Sequence, residues 1–200
     1  MVMNKVNYDK EMNKIIESHA KSGEKPTLLL HSCCAPCSTA CLERLTPHFN
    51  VIVYFYNPNI DSIEEYEKRK SEQIRLCTTL GVSCIVEEHS KSDFTIAVRG
   101  LEGEIEGGLR CSKCFSLRLT KTAKKCLECG YDYFTTTLTV SPHKNSQVIN
   151  EIGKAVGKEV GAKFLPSDFK KGNGFLRSTT LSNEYGLYRQ NYCGCEFSKR

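Results

Sequence analysis

No apolar run in this chain is long enough to cross a bilayer: the longest, TLLL at 27–30 and VIVYFY at 51–56, are of strand length. The first 26 residues mix acidic and basic side chains and contain no apolar core of the kind a signal peptide needs. Internal repeats, low-complexity tracts and interdomain linkers are also missing. These absences predict a cytoplasmic protein with no membrane association. Its 200 residues suit one compact domain with a real hydrophobic core.

Against that background the cysteines stand out. There are 12, and seven fall into three tight groups: Cys33, Cys34 and Cys37 in HSCCAPC, Cys111 and Cys114 in CSKC, and Cys193 and Cys195 in YCGC. A secreted chain with this content would suggest a disulfide framework, but the cytosol keeps thiols reduced. Clustered thiolates then point to a soft metal or to thiol redox chemistry. The other five, Cys41, Cys77, Cys84, Cys126 and Cys129, read as buried small apolar side chains.

The net charge of +5 and a pI near 8.5 favour polyanionic partners. Basic residues gather at 68–75, 118–125 and 168–171 and at the carboxyl end, although solvated helix faces give the same pattern.

Short β-rich runs alternate with helical patterns, which predicts an α/β fold, a parallel sheet flanked by helices. Strands are expected at 27–31, 51–57, 83–86 and 133–140, with a short last one at 164–165. Helices are expected at 36–45, 62–80 (Gly81 as its C-cap), 111–129, 144–161 and 182–190, with a shorter one after Asp93. Residues 1–25 read as an N-terminal helical extension carrying no motif. Residues 26–200 read as a single α/β catalytic domain ending in the Cys-x-Cys segment.

On this map HSCCAPC lies just past the carboxyl end of the first strand, where open α/β sheets bind ligands. CSKC opens a helix, whose dipole favours thiolates. Adjacent cysteines are expected to diverge, so Cys33 and Cys34 suit different irons of a cluster or two neighbouring metals. Pro36 and the polar flanks argue against deep burial of this loop, and His31 reads as a hydrogen-bonded strand end. Glycine between Cys193 and Cys195 lets both thiols face one site or close a small strained ring. Four thiolates close either a structural zinc site or an iron–sulfur cluster, and the surplus thiols favour the catalytic reading. Lys144 and Asn145 in SPHKN, with Arg189 and Tyr192 beside YCGC, are candidate substrate contacts. Tyr188 and Gln190 could join them in holding a nucleobase, and Asp168, Lys170 and Lys171 could meet phosphates. Tyr66 and Arg69 read as solvated helix residues.

HSCCAPCS, YFYNPNI, RCSKCFSLRL, FTTTLTVSPHKN, DFKK and YRQNYCGC, in that order, resemble the QueH family of epoxyqueuosine reductases over residues 27–198. The resemblance implies reductive removal of the epoxide oxygen from epoxyqueuosine at the wobble position of tRNA, the last step of queuosine biosynthesis. It implies a 4Fe-4S cluster and an additional mononuclear iron, no cobalamin, and an external electron donor. It also implies a Rossmann-like fold similar to the ATP pyrophosphatase group. By motif, Cys33, Cys34, Cys111 and Cys114 match cluster-binding positions, and Cys37 stands where the extra metal would find a thiolate. Cys193 and Cys195 match a pair proposed as a redox-active disulfide, or as ligands of the second metal. Two rival readings are a structural zinc-bound tRNA-binding module and a metal-free thiol–disulfide oxidoreductase.

Overall fold

The computed structural model describes residues 5–199; the start of the N-terminal extension and the last basic residue, Arg200, lie outside them. Four strands, β1 (Thr27–His31), β2 (Asn50–Phe55), β3 (Ser83–Val86) and β4 (Tyr133–Thr136), form one sheet in the order β3-β2-β1-β4. Every pairing is parallel. A parallel sheet is covered on both faces, which is why β1 carries three consecutive leucines, Leu28–Leu30, instead of alternating. In β1, Leu28 and Leu30 enter one core with Met12, Leu42, Leu45 and Leu76, while Leu29 enters the other with Phe115, Leu119, Ile149 and Val156. Each fully buried leucine contributes about 1.5–3 kcal/mol.

The first core lies under α1 (Tyr8–Ser22), α2 (Ala35–Leu45) and α3 (Ile63–Leu80), with α7 (Gly174–Glu184) packed on α2. The second lies under α5 (Leu109–Glu128) and α6 (Ser146–Val160), which pack on each other; the short α4 (Lys91–Ala97) sits beside α5. Helix ends follow local chemistry. Ser62 caps α3 by accepting from Glu65 N, and Gly81 ends it at φ 64°, a conformation that favours a residue without Cβ.

The chain builds outward from β1 to β3 and then returns to place β4 on the other side of β1. The order therefore reverses between β1 and β4, and a crevice opens there at the carboxyl ends of the strands. The two loops meet at that point, where Cys33 N donates to Thr137 Oγ1 at 3.1 Å.

Three expected elements differ. The Thr-rich run 133–140 is a strand only to Thr136, because Thr136 Oγ1 accepts from Leu138 N and turns the chain into a 3-10 segment, Thr137–Val140. The last helix runs over Gly174–Glu184, not 182–190. Gly172 and Asn173 adopt left-handed conformations just before it, and Gly186 (φ 57°) blocks any continuation. The strand expected at 164–165 is a single bridge to Phe134. Cys129, expected inside, is exposed at the end of α5. No helix among the described residues is long and apolar enough to cross a membrane.

Candidate active site

The β1–α2 turn brings three thiols together. Cys34 is the N-cap of α2 with a fully extended backbone (φ −175°), and Cys33 occupies the bend before it. Strand alternation does not hold across that bend, so the expected divergence fails: the two sulfurs lie 3.8 Å apart. Cys37, three residues further along α2, faces the same way, and all three sulfurs lie within 4.8 Å of one another. The loop is also deeper than its flanks suggest, since Cys34 and Ala35 are 1% exposed while Cys33 and Cys37 are half-buried. Hydrogen bonds from Cys34 and Cys37 hold the Cys33 thiol well below its ordinary pKa. Its proximity to Cys33 in turn pushes Cys34 up to about 12. The first thiolate of the group is therefore Cys33.

Cys111 and Cys114 sit in the first two turns of α5 on one face, as i,i+3 spacing requires. Burial raises the Cys114 thiol to about 12. Opposite them the carboxyl-terminal segment is tied down by a side chain expected in solvent. Arg69 is 2% exposed; its Nε meets Glu65 at 2.6 Å and its Nη1 donates to the Cys193 carbonyl at 3.2 Å. Asp61 N donates to the Gly194 carbonyl, and Lys199 pairs with the Asp61 carboxylate at 2.5 Å. Gly194 has φ 122°, and a Cβ there would stand 3.0 Å from Arg69 Nη1. Tyr66, likewise expected outside, is buried against Phe55.

Two adjoining hollows result. Cys111, Cys114, Cys193 and Cys195 line one, together with Asn145; Cys33, Cys34, Cys37 and Cys193 line the other, together with Arg189 and Tyr192. Cys193 and Lys144 belong to both walls. The sequence-selected cysteines and polar residues thus converge on one crevice, divided between its two halves. Asp168 does not face it: the carboxylate is buried and accepts from Ser146 Oγ at 3.0 Å. Lys170 braces the crevice from behind through a bond to the Lys144 carbonyl, and Tyr188 turns away to Glu65.

A buried cation supports the floor. Arg118, 1% exposed on α5, donates from Nε to His31 Nε2 at 3.2 Å and from Nη2 to Asn57 Oδ1 at 2.5 Å. Burial, then the guanidinium, drive the His31 pKa down to about 3. With Nε2 accepting from Arg118, Nδ1 carries the proton and donates to Thr136 Oγ1 at 2.8 Å, while the Tyr56 carbonyl also stands 3.2 Å from Nε2. Arg118 Nη1 has no partner among the described residues. Burial opposes charge on Lys144, yet the neighbouring Cys193, Cys33 and Cys37 sulfurs outweigh it and raise its pKa. Sequence reading missed Arg118 and Asn57, although a signal existed: Arg118 follows Cys111 and Cys114 at i+7 and i+4, on the same helix face.

Fold and crevice together define an α/β protein with a thiolate-lined site at the switch point of a parallel sheet. The model of the epoxyqueuosine reductase QueH family matches residues 28–200. Two similar proteins are the QueH epoxyqueuosine reductases of Staphylococcus epidermidis (46% identical over 97% of this chain and 85% of that protein) and Streptococcus pyogenes (45% over 98% and 79%). That of Thermotoga maritima is 38% identical over 86% of this chain and 90% of its own length. This chain belongs to the QueH family of epoxyqueuosine reductases. Among solved structures the fold is similar to the U34-tRNA thiolase NcsA from Methanococcus maripaludis with its [4Fe-4S] cluster, with a TM-score of 0.55 and 14% identity over 96% of this chain and 68% of that one.

Proposed function

We propose that the thiolate-lined crevice carries out the family's reaction, reduction of epoxyqueuosine in tRNA within queuosine biosynthesis, with an iron–sulfur cluster and without cobalamin. The reaction consumes two electrons and two protons, converts the epoxide-bearing ring to a cyclopentene and releases the oxygen as water. The observation that carries this reading is the convergence of seven cysteines from three distant stretches on two adjoining hollows.

The residues present fit such a group. Thiolates are the donors that iron–sulfur clusters take. An anionic cluster also needs compensating positive charge, which Lys144 and the unpartnered Nη1 of buried Arg118 offer. Cys33, Cys34, Cys111 and Cys114 would hold the 4Fe-4S cluster, and Cys37, within 4.8 Å of Cys33 and Cys34, would give an additional iron its thiolate. Such a centre, when bound, would supply single electrons and a Lewis acid for oxygen. A protein of similar fold is described with a [4Fe-4S] cluster, which supports this reading.

The chain's own residues do the rest. Cys193 and Cys195 form a redox couple facing the centre, held in register by Arg69, and an external reductant restores them. Lys144 and Asn145 hydrogen-bond the modified ring, with the Lys144 ammonium beside the departing oxygen. Arg189 and Tyr192 hold the nucleoside at the wider hollow. The seat of this chemistry is one α/β catalytic unit over 26–200; the extension 1–25 carries none of its site residues, although α1 packs Met12 and Ile16 into the first core.

The test is anaerobic incubation of the iron-loaded protein with epoxyqueuosine-containing tRNA and a low-potential reductant, without added cobalamin. Nucleoside mass analysis should show loss of one oxygen atom and appearance of queuosine. Unchanged epoxyqueuosine with a fully loaded centre would refute the reading.

A further inference from the structure

A large aromatic side chain at the mouth of the wider hollow takes no part in the chemistry above. Phe175 opens α7 and lines that hollow together with Cys33, Cys34 and Cys37, yet it is 38% exposed, and Leu176 beside it is 64% exposed. Phe175 contributes to none of the apolar clusters. Its neighbour across the mouth is Arg189, whose guanidinium carbon stands 5.3 Å from the ring centroid. Arg189 is exposed, bonds Ser182 Oγ at 3.4 Å, and pairs with no carboxylate among the described residues. Lys171, also exposed, lies just before the helix.

An aromatic face and a guanidinium plane at the entrance to a catalytic crevice form the arrangement that grips an unstacked nucleobase. The substrate base has to leave the stack of a seven-membered loop to enter, which strips one face from each flanking base. Resting on the reading of the crevice as the substrate site, we propose that Phe175 is a stacking platform for a nucleobase adjacent to the substrate nucleotide in the anticodon loop, with Arg189, which holds the substrate nucleoside, packed beside its ring. The occupant is RNA because the patch is flanked by cations, which an apolar self-contact would have to bury uncompensated. Phe175 is thus a substrate-positioning residue that favours the base as presented in an anticodon loop over the free nucleoside.

The test is a cross-molecule double-mutant cycle read by binding. Affinity for a fluorescent anticodon stem-loop is measured by anisotropy for the metal-loaded parent, Phe175→Ala, Phe175→Leu and Phe175→Trp, against the intact RNA and two RNAs with one flanking nucleotide made abasic. Loss of one base–aromatic stack weakens binding about 5- to 150-fold. Phe175→Ala and Phe175→Leu should both show that loss, Phe175→Trp should retain affinity, and for one abasic RNA the loss should vanish. Leucine keeps the apolar volume, so a folding defect separates from a stacking defect. Parent-like binding by Phe175→Ala, or losses that multiply with both abasic RNAs, would overturn the platform. A shift in sedimentation of the free protein on Phe175→Ala with RNA affinity unchanged would overturn it too, in favour of a second copy of the chain. If the parent binds the epoxyqueuosine stem-loop but never converts it, the reading of the reaction fails and the platform does not.

Discussion

Arg69 Nη1 donates to the main-chain carbonyl of Cys193 at 3.2 Å, so a guanidinium buried beneath α3 sets the height of a cysteine 124 residues away. The same group is gripped by Glu65 and faces the Tyr192 ring with 5.0 Å between guanidinium carbon and centroid. Replacing it by methionine would leave the partly buried Glu65 carboxylate with only the Tyr188 hydroxyl, a loss of about 1–3 kcal/mol for the charge-assisted bond. Arg69→Met should therefore lower the unfolding midpoint and speed amide exchange selectively across 192–196, while Arg69→Lys recovers part of the stability. Equal exchange in that segment for parent and Arg69→Met would show that the contact does not hold it.

Gly194 follows from the same packing. Its φ of 122° belongs to glycine, and a Cβ would press on Arg69 Nη1, Ile60 and Asn59 at 3.0–3.3 Å. Gly194→Ala should cost about 1–3 kcal/mol in denaturant unfolding and reduce activity more than a change at an exposed glycine such as Gly103. An alanine variant matching the parent in both would contradict the tight approach.

The thiols divide by role. Cys111→Ser and Cys114→Ser should each lower bound iron and sulfide. Cys193→Ser and Cys195→Ser should keep both near the parental level while abolishing conversion. Metal analysis beside the tRNA assay reads the difference, and iron loss in all four variants would make the carboxyl-terminal pair ligands instead of a redox couple.

Arg118 and His31 form a separate support. Arg118→Met would strand Asn57 Oδ1 in the core, at about 1–3 kcal/mol for an unsatisfied group, and would leave His31 Nε2 facing only the Tyr56 carbonyl at 3.2 Å. Urea unfolding should show the deficit; stability within experimental error of the parent would contradict the assigned bonds.

Asp132 gives a pH dependence far from the crevice. Its carboxylate accepts from Thr27 Oγ1 at 2.7 Å and from Thr27 N at 2.8 Å, and these bonds, side-chain first, hold its pKa below the ordinary value. A depressed carboxylate stabilises the fold above its unfolded pKa, and that contribution is lost as pH falls through the folded one. The side chain is exposed, so the contribution is at most about 1 kcal/mol. Asp132→Asn should unfold at lower urea than the parent at neutral pH, with the gap closing at strongly acid pH. A gap that persists in acid would mean the carboxylate charge is not its source.

Much of this was legible in the residues. Apolar runs of strand length, Ser62 and Gly81 bracketing α3, and the alternation of elements lead to the parallel sheet and put HSCCAPC at its carboxyl edge. Local chemistry misled where a side chain competed with the ladder, as Thr136 does, or where left-handed residues at 172 and 173 started a helix that composition placed later. What stayed hidden was long-range pairing. Charge on α3 says nothing of a terminal segment folding back over it, so Arg69 reads as a solvent residue. Cys33 and Cys34 read as divergent because a strand rule was applied across a bend.

The decisive measurement is the iron, zinc and acid-labile sulfide content, with the visible spectrum, of protein purified without oxygen. About four irons and four sulfides per chain, or slightly more iron, with the broad absorption of a thiolate-held cluster, are expected of an iron–sulfur crevice. One tightly bound zinc and no sulfide after anaerobic reconstitution would contradict that expectation and leave the cysteine-lined crevice a structural site.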